Sequence, residues 1–156
     1  MRAEAVREFE RFEETVERLL ATDGVNTVYA YFFGNLQADT GKSWCPDCVQ
    51  GDPIIRKTLS EHDPEAVLLE CPSGERAVYV ISSFIFFSLC SVHIFFSLFF
   101  SLLRYRAADH VYRTHPLIQL KAVPTVIKWT KEGPKGRLVE DECFEADNLL
   151  KLTSSN

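Results

Sequence analysis

The chain has no surplus of positive charge. Seventeen Lys and Arg stand against 22 Asp and Glu, leaving a net charge of −5 and a pI near 5.4. That balance argues against a nucleic-acid binder, which needs a basic face. There is no apolar core in the mixed-charge stretch from Met1 to Glu17, so no secretory signal is expected and the cytosol is the default compartment. No second Cys-x-x-Cys follows the first, and His62, His93, His110 and His115 form no i, i+4 pair, which disfavours a zinc site. Cys71, Cys90 and Cys143 are scattered, so there is no secreted disulfide framework. No internal repeat occurs. One local absence stands apart: no Asp, Glu, Lys or Arg lies between Ala77 and Leu103.

What is present is a chain of 156 residues, enough for a single domain (1–156) with a real core. From Val6 to Leu20 the residues Val6, Phe9, Phe12, Val16, Leu19 and Leu20 recur at three and four, which predicts an amphipathic helix. Thr27 to Phe33 is β-branched and aromatic and predicts a buried strand. Cys45 to Ser60 reads as a helix with Pro46 in its first turn and a kink at Pro53. Ala66 to Cys71 and Thr125 to Trp129 read as strands, and Arg106 to Leu120 as a polar connector or helix. Gly133-Pro134-Lys135-Gly136 predicts a hairpin turn, with Arg137 to Glu140 its return strand and a terminal helix from Phe144 to Leu152. The order is that of an α/β fold with a central mixed sheet flanked by helices.

The chemistry centres on Trp44-Cys45-Pro46-Asp47-Cys48. The attacking species in disulfide exchange is a thiolate, and a helix N-terminus favours one through its unpaired N–H groups and dipole. Cys45 is placed to be that nucleophile. Cys48, about one turn later, is expected to be less exposed and to resolve the mixed disulfide. Two roles are open to Asp47: relaying a proton to or from Cys48, or raising the thiol pKa values by like-charge repulsion, which Lys42 would offset. Far downstream, Ala122-Val123-Pro124-Thr125 precedes a strand. A cis Val123–Pro124 bond set against Cys45 would expose the Val123 backbone to an extended substrate, with Ser43, Trp44 and Pro46 lining the same groove. Dithiol and proline together point to a thioredoxin-like oxidoreductase. Cys71 and Cys143 read as inert buried thiols, Trp129 as core, and Glu140-Asp141-Glu142 as a solvated face.

Tyr29-Ala30-Tyr31-Phe32, a long loop, and then Gly41-Lys42-Ser43-Trp44-Cys45-Pro46-Asp47-Cys48 closely resemble the thioredoxin domain-containing protein 17 family of small cytosolic thioredoxin-related proteins. Arg113-Thr114-His115-Pro116 and Leu120-Lys121-Ala122-Val123-Pro124-Thr125 continue the likeness. Ordinary thioredoxins have Gly-Pro between the cysteines and a buried acid on the preceding strand. Here Ala30 takes that place, which leaves Asp47 as the nearest carboxylate. The resemblance implies a disulfide reductase with a Cys45/Cys48 redox disulfide and no bound cofactor. Its electrons would come from NADPH through thioredoxin reductase, and its substrates would be cystine and selected protein disulfides or persulfides. It also implies links to peroxide defence, tumour-necrosis-factor signalling and a dynein light chain.

The block at 79–104 is foreign to this pattern. Seven of the chain's 12 Phe fall between Phe84 and Phe100. As one helix, Ala77 to Leu103 would measure about 40 Å, long enough to cross a bilayer. A single span would, however, put Cys45 and Pro124 on opposite sides of the membrane. A buried insertion would leave an apolar patch that a small domain cannot cover. Phe, Ser and Leu can all be written in pyrimidine-only codons, Val78-Tyr79-Val80 can contain a donor-like GTATGT, and Arg104 can supply a closing AG. Excision would join Val78 to Tyr105 and restore a family-like sequence. The block therefore reads as a retained intron or gene-model error, and a membrane tether as the weaker alternative.

Overall fold

The computed structural model describes residues 1–6, 9–75 and 109–155. The apolar block at 79–104, with the insertion, membrane and intron readings attached to it, lies outside them. Five strands form one mixed sheet, ordered β1-β3-β2-β4-β5. They are β1 (Arg2–Ala5), β2 (Val28–Phe33), β3 (Val67–Pro72), β4 (Thr125–Thr130) and β5 (Gly133–Val139). β3 runs parallel to both β1 and β2, while β4 is antiparallel to β2 and β5. The helices are α1 (Phe12–Leu20), α2 (Pro46–His62), the single turn α3 (Val111–Thr114) and α4 (Ala146–Ser154).

Every residue of β2 is buried, as its unbroken apolar run predicts for a strand covered on both faces. Alternation then divides the strand. Phe32 meets Phe12 of α1 and Tyr112 of α3, with ring centroids 5.9 and 5.0 Å apart, and Trp129 of β4 joins that cluster through Phe12. On the other face Tyr29 donates to Asp63, just past the end of α2 (2.9 Å), and Tyr31 stacks on Phe33 beside α2. The Tyr29–Phe33 aromatics thus give each layer its own cluster.

Four expectations are corrected. The helix predicted over Val6–Leu20 is a 3-10 turn at Phe9–Arg11 and a helix only from Phe12, and a strand that was not predicted precedes it at Arg2–Ala5. β1 is an edge strand held to β3 by backbone pairing, so its side chains are largely exposed and carry no apolar signal. α2, expected over Cys45 to Ser60, runs from Pro46 to His62 with Pro53 inside it. Val49, whose carbonyl loses its donor there, is an exposed residue, so water can replace the missing N–H. The stretch Gly133–Gly136 is already strand, and the turn sits at Lys131-Glu132, followed by Gly133 at φ +107°. Glu140 to Phe144 forms a 3-10 turn, and the terminal helix starts at Ala146. The acidic run is exposed as expected, and the Glu142 carboxylate accepts from the Val139 N–H at 2.9 Å.

Candidate active site

Cys45 is the N-cap of α2, with extended backbone (φ −88°, ψ 114°), and Pro46 is the first helical residue. The chain reaches this point from the buried end of β2 through a loop whose ends are tied together. The Ser43 hydroxyl donates to the Gly34 carbonyl (2.6 Å) and accepts from the Cys45 N–H (3.2 Å). Trp44 lies flat on Gly34, where an added Cβ would stand 2.5 Å from the indole Cε2. Its Nε1 donates to the Gly74 carbonyl at 2.8 Å, beyond β3. A glycine is therefore needed at 34 for close approach, not for backbone freedom.

Both thiols are buried, Cys45 at 5% exposure and Cys48 at 1%, the order the sequence predicts. The Val123–Pro124 peptide is cis, and the Cys45 thiol donates to the Val123 carbonyl at 3.6 Å. Residues 78 apart in sequence are thus in contact. Pro124 is itself held from behind: its carbonyl accepts from the Glu140 N–H (2.7 Å) and from the Cys143 thiol (3.8 Å). Cys143 supports the proline, a role its isolated position in the sequence did not disclose.

The two active-site thiols are electrostatically unlike. Cys45 is lowered to about 7, chiefly by a hydrogen bond from the Cys48 thiol to its sulfur. Burial opposes this, the N–H groups of Cys48 and Asp47 assist it, and the Asp47 carboxylate works against the thiolate. Cys48 is pushed strongly upward, first because its proton is committed to Cys45 and then by burial. The Gly34 N–H and the Ser43 hydroxyl partly offset that rise. Burial raises Cys71 well above the ordinary thiol value and Cys143 to about 12, so neither supplies a thiolate near neutral pH.

Asp47 is exposed in the first turn of α2. Of the two roles open to it, the electrostatic one is visible in its effect on Cys45. Lys42 lines a cleft of about 340 Å³ that opens onto Cys48. That cleft also carries Tyr31, Asp52, Arg56 and Glu70, none of which was expected to belong to the site. The available signal was the spacing Cys48, Asp52, Arg56, which repeats at four on a helix. Among the described residues no group of three or more His, Cys, Asp or Glu is arranged to hold a metal ion, and no helix is long and apolar enough to cross a membrane.

The chain has relatives in both sequence and fold. Residues 5–97 match the model of the thioredoxin domain of thioredoxin domain-containing protein 17-like proteins. The human protein named thioredoxin domain-containing protein 17 is 30% identical over 151 residues, covering 97% of this chain and 93% of that one. Its namesake from Epinephelus coioides is 31% identical, covering 91% and 86%. The thioredoxin-like protein Clot of Arabidopsis thaliana is 28% identical, covering 80% and 73%. Among solved structures, thioredoxin NaTrxh from Nicotiana alata superimposes with a TM-score of 0.55 at 13% identity, covering 99% of this chain and 94% of that one. Thioredoxin O2 from Arabidopsis thaliana gives 0.54 at 14%, covering 97% and 91%. The fold is thioredoxin-like, the domain supports a thiol oxidoreductase-like function, and the chain belongs to the thioredoxin domain-containing protein 17-like thioredoxin family.

Proposed function

We propose that the protein is a cytosolic disulfide reductase in which Cys45 attacks, Cys48 resolves and Pro124 shapes the groove. The observation that carries this is a buried cysteine at the N-cap of α2, lowered to about 7 and 3.6 Å from the Val123 carbonyl. Near neutral pH a large fraction of Cys45 is thiolate, and it attacks one sulfur of a substrate disulfide. One substrate sulfur leaves as thiolate and is protonated, while the other is bound to Cys45. When Cys45 ionises, the Val123 carbonyl loses its thiol donor and is left to accept an N–H from an extended substrate backbone. Cys48 then gives up its proton, attacks the Cys45 sulfur and releases the second substrate thiol, leaving a Cys45–Cys48 disulfide. Ser43, Trp44 and Pro46 hold the turn that presents the pair.

Reduction of that disulfide requires an outside donor. The family resemblance makes thioredoxin reductase, fed by NADPH, the partner, with cystine and selected protein disulfides as substrates. A dynein light chain is a further candidate partner by the same resemblance. The test is NADPH consumption with thioredoxin reductase and cystine. Cys45→Ser should fall to background, a loss of at least about a thousandfold for removal of a nucleophile. Cys48→Ser should accumulate mixed disulfides visible by mass spectrometry. Full turnover in either variant would sink the mechanism. No turnover in the wild type, with partner binding retained by the double-serine variant, would favour a signalling adaptor that uses the same groove.

A further inference from the structure

The resolving step leaves one proton unaccounted for. Cys48 is 1% exposed and its thiol must be deprotonated before it can attack. In the reduced protein that proton is shared with Cys45, but in the mixed disulfide the Cys45 sulfur is bonded to substrate and has no negative charge to hold it. Some other base must receive it.

Cys48 meets the cleft on the side of α2 that faces β2 and β3. The cleft is large enough for several waters, and its charged residues give them partners. Its charged members are Asp52 and Arg56 of α2, Glu70 of β3 and Lys42 of the preceding loop, with the Tyr31 hydroxyl entering from β2. The Arg56 Nε donates to both Asp52 oxygens (2.8 and 2.9 Å), and its Nη2 lies 2.6 Å from a Glu70 oxygen. Two carboxylates thus share one guanidinium, and the trio carries a net charge of −1. Taking up one proton neutralises it without leaving Arg56 unpaired.

Helix geometry separates the candidate bases. Asp52 is displaced from Cys48 by about 40° around the helix and about 6 Å along it, so both look into the same cleft. Asp47 is turned about 100° away, is exposed, and does not line the cleft. Glu70 sits on a different element, on the far side of Arg56. We propose that Asp52, positioned by Arg56 and Glu70, accepts the proton of Cys48 through cleft water during resolution.

The step balances. The Cys48 proton passes to the Asp52 carboxylate. The Cys48 thiolate forms the S–S bond to Cys45 as the bond from Cys45 to substrate sulfur breaks, and the substrate leaves as thiolate. Asp52 returns the proton to solvent through the open side of the cleft. The inference rests on the dithiol reading above, and one experiment separates the two. Mixing the reduced protein with dithiobis-nitrobenzoate in a stopped-flow instrument releases one coloured thiolate on Cys45 attack and a second on resolution.

In Asp52→Asn the first phase should keep its rate and pH profile. The second should slow by roughly a hundredfold at neutral pH, the lower end of the range for a positioned base. Asp52→Glu should restore most of it. Absence of the first phase in the wild type would defeat the dithiol reading itself. A normal first phase with an unchanged second phase in Asp52→Asn would overturn the role of Asp52 alone. So would an equal slowing in Asp47→Asn, or a slowing in Asp52→Asn that tracks a loss of helical signal. Glu70→Gln, which keeps Asp52 on Arg56, should slow resolution less than Asp52→Asn, and an equal or larger effect would transfer the role to Glu70.

Discussion

Cys45 and Cys48 are the same residue type at the start of one helix, three positions apart and both buried, yet they meet different surroundings. Cys45 faces the Val123 carbonyl and the open N-terminus of α2, where N–H groups and the neighbouring thiol all favour its charged form. Cys48 faces inward to a cleft of paired charges and holds its proton firmly. Burial is therefore not what activates a thiol here. Burial raises both, and the difference comes from who donates to whom. A hydrogen bond from the Cys48 thiol favours the charged form of Cys45 and keeps the proton on Cys48, so the proposed order of attack and resolution follows the direction of both shifts.

The most direct way to break this asymmetry is to remove the donor. In Cys48→Ala, Cys45 loses the largest of the influences that lower it. Its alkylation by iodoacetamide, followed against pH, should then show a midpoint well above that of the wild type measured alongside it, moving toward the ordinary thiol range. Cys48→Ser keeps an O–H donor and should fall between. If the midpoint in Cys48→Ala stays at the wild-type position, the helix N-terminus and not the Cys48 thiol is the main cause of the Cys45 shift.

A smaller effect is expected where the loop behind both cysteines is pinned. Gly34→Ala would place a Cβ 2.5 Å from the Trp44 ring, so the indole must move and its Nε1 bond to Gly74 must lengthen or break. Overpacking of this kind costs about 1–3 kcal/mol, readable as a lower midpoint in urea unfolding. The same glycine sends its N–H toward Cys48 and its carbonyl to Ser43. The variant should therefore slow resolution more than first attack. Equal slowing of both phases would mean that the loop serves the two cysteines alike.

These features differ in how far they could be read before the structure. The dithiol was legible because its chemistry is local: two cysteines at a fixed spacing, with a proline at the first helical position. β2 and β4 were legible because they are buried on both faces and show unbroken runs of β-branched and aromatic residues. β1 was not, because an edge strand held by main-chain bonds leaves no side-chain pattern. The cleft was hidden for a different reason. Asp52 and Arg56 could be paired from helical spacing, but Glu70 comes from another element, and only the packing of β3 against α2 brings it to the same guanidinium. Cys143 beneath Pro124 and Trp44 upon Gly34 are likewise contacts between distant segments that no local pattern announces.

The smallest effect tests the finest part of the comparison, the sign of Asp47. Its carboxylate stands in the first turn beside Cys45 and opposes the thiolate, while its own N–H supports it. Asp47→Asn keeps the N–H and removes the charge. The Cys45 midpoint should then fall by a few tenths of a pH unit to about one unit, because a screened, exposed charge acts weakly. Alkylation at pH 6 should be faster than in the wild type, and the difference should shrink in high salt. The resolving phase should be nearly unaltered, because Asp47 does not line the cleft that serves Cys48. A rise in the midpoint would give Asp47 the opposite sign. A slowed resolving phase with an unchanged midpoint would make it the proton relay for Cys48, and the division of labour between the carboxylate outside the cleft and the carboxylate within it would fail.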